Sequence, residues 1–170
     1  MIDLTDKIHL RWMIRDDMDQ VLEIEKSTFE FAWTEEDFIH CLNQRNCIGM
    51  VAEYDEKVVG FMIYELHRDR LNVLNFAVCH ELRSSSIGTA MSNKLIGKLS
   101  SQRRSKITLE VRETNLDSQL FFQKQGFKAI EVVKNSYGET PEDAYLMQYD
   151  FAPSNKLDLK NRISNVGETI

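Results

Sequence analysis

The sequence predicts an α/β (α+β) protein with a mixed sheet of six to seven strands and helices on both faces, in the order β-α-α-β-β-β-α-β-α-β-β. Apolar runs in the first half have the spacing of antiparallel hairpins. The second half alternates strand and helix patterns, which favours strand–helix–strand units. A chain of 170 residues with 42% hydrophobic composition is long enough for one domain with a sizeable core and too short for two ordinary domains.

The first part of the chain is typical of a strand followed by two helices. Residues 8–14 form a short apolar run, and residues 16–29 carry apolar side chains at helical spacing, with Asp16 as the expected N-cap. In the next segment, FAWTEEDFIHCLNQ, Thr34 is the expected N-cap because three acidic residues follow it in the opening turn.

Three strands and a helix are predicted in the middle of the chain. CIGMVAEY and KVVGFMIYEL form a hairpin around Asp55 and Glu56, and RLNVLNFAVC is a third strand. The polar loop RSSSIG then begins a helix with a buried stripe, formed by Ile87, Ala90, Met91, Leu95 and Leu99. A strand, a tight loop and a helix start present N–H donors and the positive end of a helix dipole, which is a potential anion site. The alternative is a solvated helix start with serine caps and no ligand.

The last part contains the strand KITLEVR, a helix over residues 116–125 capped by Asn115 and ended by Gly126, and two strands joined by the turn GETPED. From residue 152 onward there is little apolar periodicity. We therefore expect the folded domain to span residues 1–151. Residues 152–170 are expected to be a mostly disordered tail, with a short docking helix as the alternative.

Charge and composition limit the class of partner. The net charge of −6 argues against a general nucleic-acid binder and suits a cationic small molecule or a basic peptide, unless it serves solubility alone. No apolar run approaches the length of a membrane span and the N-terminus lacks a signal-peptide core, so we expect a cytoplasmic protein without membrane contact. Cys41, Cys47 and Cys79 are expected to be buried free thiols, and no metal site is expected.

Five motifs, at compatible spacings, resemble those of the GNAT N-acetyltransferases, and more closely their ribosomal-protein-alanine N-acetyltransferase branch. They are FAWTEEDF, FAV with the RSSSIG loop, LEVRETN, QLFFQKQGF and EDAYLMQ. The resemblance covers residues 8 to 150 and implies the GNAT fold and an acetyl-CoA-dependent acyltransferase. It implies direct transfer of the acetyl group to an amine. The resemblance to the branch implies that this amine is the N-terminal amine of an alanine in a ribosomal protein or a similar peptide. The expected partners are acetyl-CoA and a basic peptide or protein N-terminus, and the protein itself is expected to be a monomer or weak homodimer.

In that family the strand-to-helix loop follows R/Q-x-x-G-x-G/A and holds the pyrophosphate of acetyl-CoA on backbone amides. Arg83 matches the first position and Gly88 the second glycine, whereas Ser86 replaces the first glycine. Serine adds bulk and restricts the backbone, although its hydroxyl can donate to phosphate, so weakened rather than abolished binding is expected. The cofactor-binding residues that the resemblance implies are Phe76, Ala77, Val78, Arg83, Ser84, Ser85, Ser86, Ile87, Gly88, Thr89, Asn115 and Phe122.

The resemblance also implies the catalytic groups. Glu110 matches the family's proposed general base. An α-amine of pKa about 7.7 to 8.0 is mostly protonated at neutral pH, so it must lose a proton to a base before it can attack. The alternative is that Glu110 is a surface or salt-bridged glutamate. Main-chain groups of residues 76–78 are expected to polarise the thioester carbonyl. Where the family usually has a tyrosine that protonates the departing thiolate, this chain has Phe122, so Tyr137 or solvent is expected to substitute.

The acceptor side is assigned to the loops that flank the peptide entrance in this family. Phe31, Trp33 and Tyr137 are the implied substrate-binding residues, and Trp33 either floors a pocket for a small N-terminal residue or is a hydrophobic staple before a helix. The acidic residues of these loops either attract a basic peptide or are a solvated rim. Two alternatives stay open for the whole chain: a degenerate GNAT-fold protein that binds CoA or a partner without efficient catalysis, for which Ser86 and Phe122 are the evidence, and an enzyme acting on another small amine.

Overall fold

The computed structural model describes residues 3–153, in which seven strands and four helices follow the predicted order. The strands are β1 (His9–Trp12), β2 (Cys47–Tyr54), β3 (Lys57–Leu66), β4 (Arg70–Val78), β5 (Lys106–Arg112), β6 (Lys128–Val133) and β7 (Ala144–Asp150). The helices are α1 (Met18–Thr28), α2 (Glu35–Leu42), α3 (Ile87–Ile96) and α4 (Leu116–Lys124). Beyond Pro153, the predicted tail lies outside the described residues.

All seven strands form one mixed sheet in the order β1-β2-β3-β4-β5-β7-β6. Every neighbouring pair is antiparallel except β4 and β5, which are parallel and joined through α3. The predicted hairpin turn at Asp55 and Glu56 is confirmed, and both residues have positive φ, 50° and 61°. Such a pair of left-handed residues is the geometry of a type I′ turn, which matches the twist of the strands it joins.

The two central strands diverge along their length. The pairing of β4 with β5 runs from Arg70 opposite Lys106 to Val73 opposite Leu109, whereas β4 continues to Val78 and β5 to Arg112. Within residues 3–153, no strand pairs with this edge of β4 beyond Val73. The carboxyl-terminal half of β4 therefore has an unpaired edge, whose hydrogen-bonding groups face a cleft. This cleft is here called the β4–β5 cleft, because it lies where β4 diverges from β5.

The predicted helices on both faces of the sheet are confirmed by two separate apolar clusters. The cluster with α3 and α4 contains Met50, Met62, Leu71, Ile107, Ile87, Met91, Leu95 and Phe122. The cluster with α1 and α2 contains Val51, Phe61, Ile63, Val21, Ile24 and Phe38. Alternate residues of the strands serve opposite clusters, because successive side chains of a strand point to opposite faces.

Two predicted helix caps are confirmed. The Thr34 hydroxyl accepts the N–H of Asp37 at 3.2 Å while the Asp37 carboxylate accepts the N–H of Thr34 at 2.8 Å, which is a capping box at the start of α2. Asn115 accepts the N–H of Ser118 at 3.1 Å and caps α4. Gly126, with φ of 97°, follows the end of α4 as predicted.

The expected cap of α1 at Asp16 is wrong. A single turn of 3-10 helix over Arg15–Asp17 precedes α1, and it is the Asp17 carboxylate that accepts the N–H of Ile14 at 2.8 Å. The same carboxylate receives two hydrogen bonds of 2.8 Å from Arg11, which hold the pKa of Asp17 below its usual value. Asp17 is thus bound by Arg11 on β1, six positions earlier, which the local pattern of acidic residues does not reveal.

The three cysteines are free thiols in the structure. Cys47 is buried, whereas Cys41 and Cys79 are partly buried, and the Cys41 and Cys47 sulfurs lie 2.7 Å apart. Across residues 3–153, no group of three or more metal-ligating side chains is close enough to hold an ion. The described part of the chain also has no helix of the length and apolarity that crossing a membrane requires.

Candidate active site

The β4–β5 cleft has a volume of about 870 Å³ and opens between the end of β4, the loop before α3 and the face of α4. Its lining includes every predicted cofactor-binding residue except Ser86 and Ile87: Phe76, Ala77, Val78, Arg83, Ser84, Ser85, Gly88, Thr89, Asn115 and Phe122. The lining also includes Thr28 and Phe29 at the end of α1, Phe121 on α4 and Gln125 just after α4, none of which the sequence assigned to the cofactor. Phe121 and Gln125 belong to the QLFFQKQGF motif, but a motif does not show which of its side chains reach the cleft. No motif marks Thr28 and Phe29, which reach the cleft through tertiary packing.

The loop before α3 turns at Ser84. Ser84 has φ of 62°, in the left-handed region, whereas Ser86 has an ordinary φ of −78°. The conformation that glycine tolerates best is therefore required at Ser84, and the serine at position 86 causes no backbone strain. This corrects the expectation that Ser86 restricts the loop through its backbone conformation.

Ser86 also uses its hydroxyl inside the protein. The side chain is buried, and its oxygen accepts the N–H of Leu4 at 2.7 Å. Hydrogen bonds from Thr5 hold the pKa of Asp3 below its usual value, and the Ser86 hydroxyl makes a smaller contribution. The hydroxyl thus fastens the N-terminal segment to the start of α3, and Ile87 beside it is fully buried in the core. Neither side chain faces the cleft, so any contact of these two residues with a cofactor must use their backbone.

Gly88 allows α3 and α4 to approach each other at the cleft. A Cβ on Gly88 would lie 3.1 Å from two ring carbons of Phe121, closer than most real contacts of this kind. The Phe121 ring in turn packs against Phe76 and Phe122, with centroid distances of 5.8 and 5.0 Å. Glycine at this position therefore keeps the first turn of α3, with its unpaired N–H donors, close to the aromatic wall of the cleft.

Arg83 lies across the outer end of the loop. Its Nε donates to the carbonyl oxygen of Val78 at 3.3 Å and its Nη2 to the Thr28 hydroxyl at 3.2 Å. The side chain therefore connects the end of β4 with the end of α1 and leaves its positive charge at the rim of the cleft, where it is exposed. This position suits attraction of an anion into the loop.

Phe122, which stands where the family usually has tyrosine, belongs to an aromatic cluster. Only 6% of its surface is exposed, and its ring lies 5.3 Å from those of both Phe76 and Phe127. Edge-on ring contacts of this kind fix α4 over β4. Phe122 therefore shapes the wall of the cleft but has no proton to donate.

Glu110 lies on the exposed face of β5, outside the lining of the cleft. The Ser136 hydroxyl donates to its carboxylate at 2.9 Å. Leu109 and Val111 on either side are buried, as the predicted alternation requires. The carboxylate is thus held at the surface by the loop between β6 and β7.

Arg112 brings together two of the predicted acceptor residues. It follows Glu110 by two positions and so shares its face of β5. The centre of its guanidinium lies 3.6 Å from the Tyr137 ring centroid and 5.0 Å from that of Phe31. Arg112 therefore joins Phe31 and Tyr137, which are 106 positions apart in the sequence. No sequence motif assigned this role to Arg112.

Tyr137 is half-buried beneath this arginine. Burial raises the pKa of Tyr137, and the nearby Glu110 adds to the increase, while Arg112 opposes it. The phenol therefore stays protonated at neutral pH and can donate a proton, which is what a general acid must do.

Trp33 packs differently from Phe31. Its ring contacts Phe38 edge-on at 5.1 Å between centroids, which is a hydrophobic staple around the N-cap Thr34. The main-chain N–H of Trp33 donates to the Glu25 carboxylate at 2.9 Å. A role for Trp33 as the floor of an acceptor pocket stays a prediction.

Glu25 is a further residue whose importance the sequence understates. It is 1% exposed, and besides Trp33 it accepts a hydrogen bond of 2.9 Å from the buried Asn75 amide. Burial raises the pKa of Glu25. This carboxylate ties α1, the loop after it and the β4 residue next to Phe76 into one unit; its signal in the sequence is an acidic residue at an inward position of the α1 pattern.

Comparison with known proteins decides the family. The acetyltransferase (GNAT) family model matches residues 18–127. This chain belongs to that family. The resemblance stated from its motifs is thereby confirmed, and the chain is an N-acetyltransferase, an acyl-transferring enzyme with the GNAT fold.

Three relatives illustrate the family's range. A Bacillus subtilis (strain 168) protein proposed as a ribosomal protein bS18-alanine N-acetyltransferase is 30% identical over 142 residues, 83% of this chain and 94% of that protein. The ribosomal protein bS18-alanine N-acetyltransferase of Escherichia coli (strain K12) is 26% identical over 133 residues, 77% and 89% of the two chains. The structure of a GNAT family acetyltransferase from Elizabethkingia anophelis with acetyl-CoA bound is similar to this one, with a TM-score of 0.70 and 15% sequence identity. The similarity covers 85% of this chain and 99% of that chain.

Proposed function

We propose that this protein transfers the acetyl group of acetyl-CoA directly to the N-terminal amine of a protein that begins with alanine or a similarly small residue, such as a ribosomal protein. The observation that carries the proposal is the divergence of β4 and β5. The free edge of β4 and the start of α3 thereby share one cleft, while β5, the strand that diverges from β4, carries Glu110 outside the cleft lining. The two bS18-alanine relatives support the choice of acceptor.

The residues of the β4–β5 cleft fit acetyl-CoA, which supplies an acetyl group activated as a thioester when bound. The first turn of α3 offers N–H donors to the pyrophosphate, and Gly88 lets the loop approach closely. The edge of β4 beyond Val73 offers main-chain partners to the amides of the pantetheine arm. A volume of about 870 Å³ is within the range of cofactor sites, roughly 300 to 1,000 Å³.

Three groups of this chain serve the transfer. Those main-chain N–H groups of residues 76–78 that point away from β3 donate to the carbonyl oxygen, where negative charge develops as the amine attacks. Glu110 accepts the proton that the amine must lose. Tyr137, protonated at neutral pH, holds the proton that the departing sulfur needs, with water as the alternative donor.

Charge on the acceptor side suits a basic peptide, although part of that charge is neutralised within the protein. Glu142 is paired with Arg112 at 3.0 Å, and Asp143 is paired with Lys134 at 2.8 Å. Glu110 and the exposed Glu35 and Glu36 at the start of α2 form no salt bridge with a described residue, so they would provide most of the attraction. Such attraction raises association rates and weakens with added salt.

A CoA-release assay tests the proposal on short peptides that begin with alanine, serine or methionine, and on one whose α-amine is blocked and which carries a lysine. We expect turnover with the alanine and serine peptides and its loss in Glu110→Gln. Acetyl-CoA titration by calorimetry is run in parallel. If no binding is detected at high micromolar concentrations of acetyl-CoA, the proposed enzymatic function is contradicted.

The second candidate, a family member that binds CoA without efficient catalysis, is favoured by one observation. Phe122 is locked in the aromatic cluster at the position of the family's usual acid. Tight acetyl-CoA binding with no release of CoA on any peptide or small amine of the panel would support this candidate over catalysis.

A further inference from the structure

We infer that Arg112 is a positioning residue that clamps the two acceptor loops together and thereby sets the affinity for the acceptor peptide. The loops are residues 29–34 between α1 and α2 and residues 134–143 between β6 and β7. The acceptor clamp consists of Phe31, Arg112 and Tyr137. This inference rests on the proposed function, because it concerns how that acceptor is held.

The stacking geometry carries the first step. With its centre 3.6 Å from the Tyr137 centroid and 5.0 Å from the Phe31 centroid, the guanidinium is within cation–π range of one ring from each loop. A planar guanidinium has two faces and can stack on aromatic rings, whereas the compact ammonium of lysine cannot make the same flat contact. The contact therefore depends on arginine and not on positive charge alone.

Hydrogen bonds carry the second step. Arg112 Nη1 donates to the Glu142 carboxylate at 3.0 Å and to the Thr140 hydroxyl at 3.2 Å, while Nη2 lies 3.8 Å from the Glu139 carboxylate. These three partners all belong to the loop between β6 and β7. The edge of the guanidinium therefore holds one loop by polar contacts while its face reaches the other, and only 24% of the side chain is exposed.

The backbone of Arg112 is itself fixed. Its carbonyl oxygen accepts the N–H of Asn115 at 3.0 Å and the side-chain amide of Gln119 at 3.0 Å. A rigid strand end therefore supports the clamp, and Glu110 projects from the same face two residues earlier. An acceptor whose amine reaches Glu110 must lie beside this clamp.

The clamp residues lie outside the lining of the cofactor cleft, and of them only Tyr137 has a proposed role toward acetyl-CoA. Phe31, Arg112 and Tyr137 do not line the β4–β5 cleft, which is bounded by β4, the loop before α3 and α4. Loosening the clamp should therefore weaken binding of the acceptor peptide and leave the affinity for acetyl-CoA unchanged. A merely structural arginine would lower stability and affect both substrates alike.

The test compares Arg112→Lys and Arg112→Met with wild type in steady-state kinetics on an alanine-starting peptide, and by calorimetry with acetyl-CoA. Both variants should raise KM for the peptide at least tenfold, with a smaller fall in kcat, and change the acetyl-CoA dissociation constant by less than twofold. Arg104→Lys and Arg104→Met are the matched controls, because Arg104 is also partly buried but donates to the His67 carbonyl in the loop preceding β4. These controls should stay within twofold of wild type in every parameter.

Hydrogen exchange gives a readout that does not need turnover. Arg112→Met should accelerate amide exchange in residues 29–34 and 134–143 together, while β2 and β3 stay protected. Unchanged peptide KM in both Arg112 variants, or equal losses for peptide and acetyl-CoA, would overturn the inference. If the wild-type protein acetylates no peptide, the proposed function fails. In that case the exchange experiment still tests the clamp: faster exchange of Arg112→Met in only one of the two loops would overturn it.

Discussion

The β4–β5 cleft and the acceptor side of β5 are built in opposite ways. The cleft consists of main-chain groups, small residues and phenylalanine rings from three short segments: the end of β4 with the loop into α3, the helix α4, and the end of α1. The acceptor side consists of charged side chains, Glu110 and Arg112, held by loops distant in sequence. Substitutions on the two sides can therefore be made separately.

The largest effect is expected for the acceptor side. Glu110→Gln removes the proposed base and should lower kcat by about 100-fold to 10,000-fold, the usual contribution of a positioned base. The acetyl-CoA dissociation constant should not change, since Glu110 does not line the cleft. Stopped-time CoA release and calorimetry measure the two quantities. Glu131→Gln on the exposed strand β6 is the control, and a Glu110→Gln enzyme with wild-type kcat would remove Glu110 from the mechanism.

On the cofactor side, Gly88→Val should weaken acetyl-CoA binding by roughly 100-fold, because branched atoms would displace the Phe121 ring from its place against Phe76. Calorimetry measures the affinity, and thermal unfolding shows whether the variant is folded. A Cβ on Gly138 would meet no atom within 4 Å, so Gly138→Val serves as the control that should retain acetyl-CoA affinity. Equal affinity of Gly88→Val and wild type would mean that the cleft is not the cofactor site.

A smaller effect distinguishes the two candidate proton donors. Tyr137→Phe keeps the ring beneath Arg112 but removes the hydroxyl, and should lower kcat about tenfold. Phe122→Tyr should leave kcat within twofold, because the added hydroxyl enters a buried aromatic cluster. If neither variant changes kcat, water is the donor; a faster Phe122→Tyr enzyme would instead assign the role to the family's usual position.

The smallest effect concerns Ser86. Ser86→Ala and Ser86→Gly both lose the hydrogen bond to Leu4 and should lower the free energy of unfolding by about 1 to 3 kcal/mol, measured by urea denaturation. Neither should tighten acetyl-CoA binding, because Ser86 has an ordinary backbone conformation. Tighter binding in Ser86→Gly but not in Ser86→Ala would show that the Cβ obstructs the cofactor after all.

The sequence allowed prediction of the features that depend on neighbours in the chain. The order of the elements, the Thr34 and Asn115 caps and the strand, loop and helix start at residues 76–89 each follow from spacing or from a residue type within one turn. Most of the predicted cofactor-binding residues lie in that one local motif, because its strand, loop and helix start are consecutive, and ten of the twelve predicted residues line the cleft.

The rest depends on tertiary contacts that a local residue pattern does not reveal. Ser86 bonds to a residue 82 positions away, Asp17 rather than Asp16 is selected by Arg11, and Arg112 is held between Phe31 and Tyr137. The stacking of a guanidinium between two rings leaves no periodic pattern in any of the three segments. Such positions become visible only when the fold is known.

The most direct test of the central claim is to locate the acetyl group after reaction. Wild-type protein is incubated with acetyl-CoA and a basic peptide that begins with alanine and contains one internal lysine, and the product is sequenced by tandem mass spectrometry. The account predicts a single acetyl group on the N-terminal α-amine, absent from the Glu110→Gln reaction. Acetyl on the lysine ε-amine with a free N-terminus would contradict it.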